Sequence, residues 1–109
     1  MESFIDENAV AALAALAHDH RLALFRLLIQ AGPDGMAAGV IAEKLDVPAS
    51  SLSFHLAHLN RAGLVTQTRQ GRSLIYAADY AAMNRLVGYL MENCCGGADC
   101  TPPPPLCRD

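Results

Sequence analysis

Four cysteines carry the clearest chemistry in this chain, and all of them lie within residues 94–109: Cys94, Cys95, Cys100 and Cys107. Gly96 and Gly97 separate the adjacent pair from Cys100 and let the backbone fold back on itself. Five residues span at most about 17 Å, so Cys100 can come much closer than that to the pair. Three converging thiolates, with no histidine or carboxylate required, favour a soft, thiophilic ion.

Several kinds of thiol site fit these residues. Trivalent arsenic or antimony binds three sulfurs in a pyramid, so three cysteines match it in number. Four cysteines could instead hold Zn²⁺ tetrahedrally. Against zinc, adjacent cysteines bind one tetrahedral ion awkwardly, and the proline run 102–105 holds Cys107 away. A redox switch that closes a Cys95–Cys100 disulfide is a third interpretation. The clustering of every cysteine in this segment argues against exposed thiols without function.

A helix-turn-helix pattern lies ahead of these thiols. Leu52, Leu56 and Leu59 fall on one face of a short predicted helix, which Gly63 is predicted to end at its C′ position. A second short helix, Ala38–Leu45, precedes it, and a connection as short as residues 46–49 makes the two cross steeply. The predicted apolar stripe of that first helix is Val40, Ile41 and Leu45. The opposite face of the second helix has no acidic side chain and bears Ser50, Ser51, Phe54, Ala57, His58 and Arg61.

A β-hairpin completes the unit. Residues 64–68 and 73–76 are rich in strand formers, and residues 69–72 predict a hairpin turn with Gly71 at its strained position. The sequence therefore predicts an α+β fold, a mainly helical winged helix-turn-helix with one β-hairpin wing. Residues 47–78 contain Arg61, Arg69 and Arg72 but no Asp or Glu, whereas the whole chain has a net charge of −3. A basic head on an acidic body is typical of nucleic-acid binding.

Three further helices are predicted around this head. An alanine-rich helix over residues 9–16 can be approached closely by another helix, and Asp19 is the predicted N-cap of a helix that ends at Ala31. Asp79 is the predicted N-cap of a last helix that runs to about Asn93. The buried stripe predicted for the helix after Asp19 is Leu22, Phe25, Leu28 and Ile29. The last helix has one continuous apolar stripe, Met83, Leu86, Val87, Leu90 and Met91.

These features predict a homodimer with a helical interface, because the winged head already accounts for most of a small core. Residues 1–93 would then be one DNA-binding and dimerisation domain, and residues 94–109 a flexible metalloid-binding tail. His18 and His20, two residues apart, suggest a pair of metal ligands. No cluster of carboxylates or cysteines lies near them in sequence to complete the site, so no metal site is predicted there.

Four sequence segments together resemble the ArsR/SmtB family of metal-responsive repressors, over about residues 8–95. They are residues 15–22 (ALAHDHRL), 52–56 (LSFHL), 59–65 (LNRAGLV) and 69–76 (RQGRSLIY). The resemblance implies a winged helix-turn-helix dimer built on the first and last helices. From the exposed helix face and the basic head, we expect Ser50, Ser51, Phe54 and His58 to contact base edges in the major groove. Arg61, Arg69 and Arg72 are expected mainly to contact phosphates.

The resemblance also bears on the inducer. Many arsenic-responsive members carry a Cys-Val-Cys pair at the helix-turn-helix, where this chain has residues 40–46 without cysteine. Zinc-responsive members use Asp and His on the last helix, and residues 83–92 here contain no His. What remains resembles a subgroup whose arsenite ligands are a Cys-Cys pair ending the last helix plus one tail cysteine. By position, these are Cys94, Cys95 and Cys100.

The expected function is a cytoplasmic repressor that binds operator DNA as a homodimer and releases it when As(III) or Sb(III) binds the tail, with no organic cofactor. A thiol-redox or Zn/Cd-sensing repressor of the same fold is the alternative. A small thiol-dependent arsenic-handling enzyme is disfavoured. Such catalysis needs a thiolate of low pKa, and a helix C-terminus raises the pKa of a thiol. No basic region followed by an apolar run marks a signal peptide, and no apolar stretch is long enough for a membrane span.

Overall fold

The computed structural model describes residues 7–93, which form five helices and a three-stranded antiparallel sheet. The helices are α1 Glu7–Leu16, α2 Asp19–Ala31, α3 Ala38–Leu45, α4 Ala49–Arg61 and α5 Tyr80–Leu90. The strands are β1 Met36–Ala37, β2 Val65–Gln70 and β3 Ser73–Ala78. The mainly helical winged helix-turn-helix predicted from the sequence is confirmed. Every cysteine lies outside the described residues, as does the predicted tail 94–109, so the division at residue 93 stays a prediction.

The core is made by apolar side chains from all five helices and from the strands. Leu52, Leu56 and Leu59 of α4 are buried, as their spacing predicts. They join Leu24 and Leu28 of α2 in one cluster, together with Ile41, Leu64, Leu86 and the alanines of α1. Burying one leucine contributes about 1.5–3 kcal/mol relative to leaving it exposed. The three leucines of α4 therefore fix which face of that helix is left for a partner.

The sheet has the strand order β1-β3-β2, and β1 was not predicted. β1 pairs Met36 with Tyr76 and is only two residues long, too short to show an alternating pattern. β2 and β3 pair from Val65↔Ala78 to Gln70↔Ser73. The hairpin turn is therefore shorter than the predicted residues 69–72, because Arg69 and Gln70 belong to β2.

The helix before the helix-turn-helix differs from its prediction in two respects. The N-cap of α2 is His18 and not Asp19: His18 has extended backbone angles, and its Nδ1 accepts a hydrogen bond from the backbone N–H of His20 across 3.1 Å. Asp19 is the first helical residue, where a carboxylate favours the positive end of the helix dipole. Leu22 is exposed because it lies about 110° around the helix from the buried Leu24, Phe25 and Leu28 face.

The apolar face of α3 is narrower than predicted. Ile41 is fully buried and Leu45 is half-buried, but Val40 is exposed. A short helix that packs through one central residue leaves its neighbour one position away outside the contact, because successive residues are turned by about 100°.

The last helix begins as predicted and ends earlier. The carboxylate of Asp79 accepts a hydrogen bond from the backbone N–H of Ala82 across 3.0 Å, so Asp79 is the N-cap. Tyr80 anchors the first turn by donating from its hydroxyl to the carbonyl oxygen of Ile29, 2.9 Å away. The helix ends at Leu90 instead of Asn93. Within residues 7–93 none of the helices combines the length and apolar character that a membrane crossing requires.

Candidate nucleic-acid interface

The face of α4 opposite its buried leucines is open to solvent. Ser50 and Arg61 are exposed, whereas Ser51 and His58 are half-buried. Phe54 is 61% exposed, an unusual position for a phenyl ring. These are the residues that the sequence predicts as DNA contacts, and the structure brings them together on one helix with no acidic neighbour on that helix. We call α4 the recognition helix from here on.

The recognition helix is held at both ends by backbone geometry. Asp46 adopts the left-handed conformation, with φ +55°, and ends α3, so that the chain turns directly into α4. At the other end Gly63 has φ +79°, which glycine adopts without strain and which places it just after the C-cap Ala62, as predicted. The N–H of Leu64 then donates to the carbonyl oxygen of Leu59 across 3.0 Å. The helix is thus joined tightly to the β2 strand that follows it.

The β2–β3 hairpin projects as a wing. Val65 is buried, but every other residue of β2 is exposed. Arg69 lies near the end of β2 and Arg72 lies in the two-residue turn, and both are exposed. Gly71, with φ +62°, supplies the left-handed conformation that so short a hairpin turn requires. A ribbon with two guanidinium groups near its tip suits contact with a phosphate backbone.

The surroundings of the two histidines of the recognition helix lower the pKa of each ring and so favour its neutral form. Burial lowers the pKa of His55, and the nearby His18, His20 and Arg21 lower it further. Desolvation also lowers the pKa of His58, with additional contributions from Arg21 and Arg61. A neutral imidazole has one donor and one acceptor nitrogen. His58 is therefore suited to a hydrogen bond with a base edge rather than to an ionic contact with phosphate.

A cluster of three histidines is the feature that sequence reasoning missed. His18 is the N-cap of α2, and His20 is the second residue of that helix. The ring of His55, on the recognition helix, packs against both imidazoles. His55 is only 8% exposed, and its Nδ1 has no hydrogen-bond partner within residues 7–93. The spacing along α4 alone puts His55 at the side of that helix and says nothing about its distance from His18 and His20. Only the tertiary packing of α2 on α4 shows that His55 lies beside His18 and His20.

The described residues settle the position of every predicted DNA contact, but of none of the predicted metalloid ligands. Cys94, Cys95 and Cys100 lie beyond Asn93, the last described residue. The turn after α5 reaches Asn93, which has φ +57°. Cys94 and Cys95 therefore follow α5 in sequence after a turn of three residues, 91–93.

Comparison with known proteins identifies the family. The helix-turn-helix domain family matches residues 16–68. The HTH-type transcriptional regulator YgaV of Escherichia coli (strain K12) is 30% identical over 89 residues, which cover 82% of this chain and 88% of YgaV. The nodulation protein NolR of Rhizobium meliloti is 29% identical over 102 residues, which cover 94% of this chain and 81% of NolR.

Solved structures agree with this relationship. An ArsR-like transcriptional regulator from Rhodococcus sp. RHA1 matches with a TM-score of 0.69 at 27% identity, covering 77% of this chain and 76% of that chain. The homodimeric winged helix-turn-helix domain Mb0332 of Mycobacterium bovis matches with a TM-score of 0.63 at 26% identity, covering 87% and 88%. A structure described as a possible transcriptional regulator for arsenical resistance matches with a TM-score of 0.64 at 29% identity, covering 72% and 79%.

Four of these five proteins carry helix-turn-helix or regulator names, the fifth, NolR, is named for nodulation, and none of the five is named as an enzyme. The described fold has the recognition helix and wing of such regulators, so this protein acts in transcription rather than catalysis. The chain belongs to the ArsR/SmtB family of winged helix-turn-helix transcriptional regulators.

Proposed function

We propose that this protein is an arsenite- and antimonite-responsive repressor. In this proposal a homodimer binds operator DNA, and As(III) or Sb(III) bound by Cys94, Cys95 and Cys100 releases it. The observation that carries the proposal is the sequence position of these three thiols, all within ten residues after Leu90, which ends the last helix of an ArsR/SmtB fold. The protein would act in the cytoplasm, where thiols are kept reduced.

DNA binding is supported by the chemistry of the exposed face. The recognition helix presents Ser50, Ser51, Phe54 and His58, which can donate, accept or make apolar contacts in the major groove. Arg61 ends that helix, and Arg69 and Arg72 occupy the wing. We assign the polar and aromatic residues to base edges and the arginines to phosphates, because guanidinium groups on the flanks position a protein without reading sequence.

Dimerisation is supported by the reversed amphipathicity of α1. Its buried residues are the small Ala9, Ala12 and Ala15, whereas the larger Val10 and Leu13 are 52% and 43% exposed. A helix that turns its larger apolar side chains away from its own core is typical of an interface.

The end of the last helix has the same character. Leu90 is 57% exposed, and α5 packs against α1 within the chain. We infer that these two helices meet their copies in a second subunit. Mb0332 of Mycobacterium bovis, which is similar in fold, is itself homodimeric.

The inducer is inferred from the ligand set rather than from the relatives. One similar structure is described as a possible regulator for arsenical resistance, but YgaV and NolR carry names of a different kind. Family membership therefore leaves the inducer open. Three thiols in residues 94–100 match the pyramidal coordination of trivalent arsenic, and the chain lacks cysteine in α3, where many arsenic-responsive members have their site.

A route from the tail to the DNA-binding face runs through packed helices. α5 packs on α1, and α1 packs on both α2 and α4. Ion binding at the end of α5 would change how the two subunits are disposed around α1 and α5. The recognition helices of a dimer must match half-sites about 34–36 Å apart, so a small rotation between subunits weakens binding.

The proposal is tested by a DNA shift assay with and without arsenite, using a duplex selected from a random library by the protein itself. Release by arsenite supports the proposal. A thiol-redox sensor would instead release DNA on mild oxidation, through a Cys95–Cys100 disulfide that a reductant reverses. A Zn/Cd sensor would respond to those ions and not to arsenite.

A further inference from the structure

Three imidazoles from two separate parts of the chain meet beside the recognition helix. His18 caps α2, His20 lies in its first turn, and His55 belongs to α4. One possible ligand nitrogen of each lies within 4.8 Å of those of the other two. The ring centroids are 5.6 Å (His18–His20), 5.0 Å (His18–His55) and 5.5 Å (His20–His55) apart. We propose that these histidines bind one divalent transition-metal ion of the Zn²⁺ class, and that the bound ion strengthens DNA binding.

The donor set selects the class of ion. Imidazole nitrogen suits Zn²⁺, Cu²⁺ and Ni²⁺, whereas Mg²⁺ and Ca²⁺ prefer oxygen ligands. Three histidines with water in the fourth position make an ordinary open tetrahedral zinc site. A thiophilic ion such as As(III) would not choose nitrogen ligands. This site is therefore chemically separate from the cysteines of the tail.

The geometry needs only a small adjustment of exposed side chains. Nitrogen ligands in a tetrahedral zinc site with bonds of about 2.0–2.1 Å lie about 3.3 Å apart. Ligand atoms that are now within 4.8 Å of one another must therefore approach by at most about 1.5 Å. His18 and His20 are exposed and can rotate, whereas His55 is held by the core and serves as the fixed ligand.

His55, the buried ligand, has a ring nitrogen without a hydrogen-bond partner among residues 7–93. His55 is more than nine-tenths buried, with 8% of its surface exposed. Its Nδ1 is fully enclosed and makes no hydrogen bond to any part of the chain that the structure describes. Buried polar atoms are normally paired, so an unpaired nitrogen on a ring that packs against two other imidazoles points to a ligand.

His18 would give up its role as the N-cap of α2 when it binds the metal ion. Its Nδ1 accepts the N–H of His20 across 3.1 Å and so caps α2. A neutral imidazole has one lone pair free on nitrogen, so the ring can accept that hydrogen bond or bind the ion, but not both. Metal binding therefore replaces the cap with a direct bond between the start of α2 and the recognition helix.

The positive charge of Arg21 would repel a cation bound by these histidines. Arg21 lies close enough to lower the pKa of His55, and its Nε donates to the carbonyl oxygen of Ala15 across 2.6 Å. That hydrogen bond holds the guanidinium against the end of α1. We expect micromolar affinity, because repulsion by a fixed cation weakens a site built from neutral ligands.

The predicted effect on DNA rests on the proposed function. Phe54, an assigned base contact, has its ring centroid 5.7 Å from that of His55. An ion bound by His55 thus places two positive charges next to the recognition surface. Positive charge near phosphates raises affinity, and a second attachment to α2 limits the movement of the recognition helix. This effect is opposite in sign to that proposed for arsenite.

The binding experiment uses the full chain with Cys94, Cys95, Cys100 and Cys107 replaced by Ser, because those thiols would compete for Zn²⁺. We expect calorimetric titration with Zn²⁺ to give one ion per chain. His20→Gln should weaken binding at least tenfold, and its exposed side chain makes misfolding unimportant. His58→Gln is the matched control, since it removes an imidazole that lies on the recognition helix but outside the trio, and it should change the affinity less than twofold. Equal affinity in His20→Gln and its parent, or no binding at one ion per chain, would overturn the site.

Imidazole NMR signals give a second test that does not depend on substitution. Zn²⁺ should shift the ring signals of His18, His20 and His55 and leave those of His58 in place. A shift of His58 together with His55, without His18 and His20, would overturn the assignment of ligands.

A DNA-binding experiment in EDTA and in Zn²⁺ distinguishes a failure of this inference from a failure of the proposed function. The Cys-free protein and its His20→Gln variant should bind the selected duplex equally in EDTA, and Zn²⁺ should tighten binding at least threefold in the first only. Zn²⁺ binding without tighter DNA binding would overturn the regulatory part. Failure to bind DNA in both EDTA and Zn²⁺ would contradict the proposed function, while the calorimetric result would still decide the site.

Discussion

The imidazole centroids of His18 and His55 lie 5.0 Å apart, which joins the N-cap of α2 to the middle of the recognition helix. Arg21 is the third residue of α2. Its Nε donates a hydrogen bond to the carbonyl oxygen of Ala15, 2.6 Å away, near the end of α1. The N-terminal end of α2, from its N-cap His18 to Arg21, therefore contacts both the helix proposed for dimerisation and the helix proposed to read DNA. A change in the dimer interface has a short physical route to the DNA-binding face.

The wing arginines should contribute to DNA binding without reading sequence. We expect Arg69→Ala and Arg72→Ala each to weaken binding to all duplexes alike. Each should also lower the slope of log affinity against log salt by about one unit, because each phosphate contact releases about one counterion. Fluorescence anisotropy at several salt concentrations measures both quantities.

Arg26→Ala is the matched control for the wing. It removes the same charge from an exposed position of α2 that is not assigned to the interface. We expect its salt slope to equal that of the wild type. Unchanged slopes in both wing variants would exclude the hairpin from the DNA interface.

Dimerisation should depend on the exposed apolar residues of the terminal helices. We expect Leu90→Lys and Val10→Lys to yield monomers that fold but bind a palindromic duplex weakly, because a buried lysine in a symmetric interface faces its own copy. Light scattering at micromolar concentration measures the assembly. Val40→Lys, at an exposed apolar position of α3, should remain dimeric. A monomeric wild type under the same conditions would contradict the proposed interface.

The sequence was informative wherever a pattern is local. The leucine spacing of α4, the cap at Asp79 and the glycine after Ala62 each predict a feature that depends on neighbours within one or two turns, and each is confirmed. The predicted burial of Leu22 and Val40 was wrong, because an apolar residue at the margin of a stripe is buried only if another element reaches it.

Features that depend on packing between helices and strands could not be predicted from the sequence. β1 exists because Met36 meets Tyr76 of β3, which no two-residue pattern indicates. The histidine cluster likewise requires α2 to pack on α4. His18 and His20 look incomplete as ligands until His55 is placed beside them.

Gly35 should be needed for the sheet to form around β1. It has φ +76°, and a Cβ added there would collide with the backbone carbonyl of Tyr76 in β3. We expect Gly35→Ala to lower the free energy of unfolding by about 3 kcal/mol, combining a strained backbone with overpacking. Urea unfolding at a fixed protein concentration measures it, because the stability of a dimer depends on concentration.

Gly71→Ala separates the two contributions. Gly71 also has positive φ, but a Cβ there would meet nothing within 4 Å. We expect a loss of about 1 kcal/mol from backbone strain alone. Equal losses at the two positions would mean that the close approach of Gly35 to β3 does not matter for stability.

The coordination of arsenic should involve three thiolates. We expect X-ray absorption of the As(III)-bound protein to show three As–S bonds, and the affinity to rise with pH as the thiols lose their protons. Cys107→Ser should keep all three bonds, because a run of four prolines favours an extended chain that would separate Cys107 from Cys100. Two As–S bonds in the wild type would contradict the assigned ligand set.

The most direct test of the central claim is the release of DNA by arsenite in single cysteine variants. The selected duplex is bound by wild type, Cys94→Ser, Cys95→Ser, Cys100→Ser and Cys107→Ser proteins under reducing conditions, and arsenite is titrated in while anisotropy is followed. We expect all five proteins to bind DNA equally before arsenite is added. Wild type and Cys107→Ser should then release it, and the other three should stay bound. Release by Cys100→Ser would show that two thiols suffice, and no release by the wild type would contradict arsenite sensing itself.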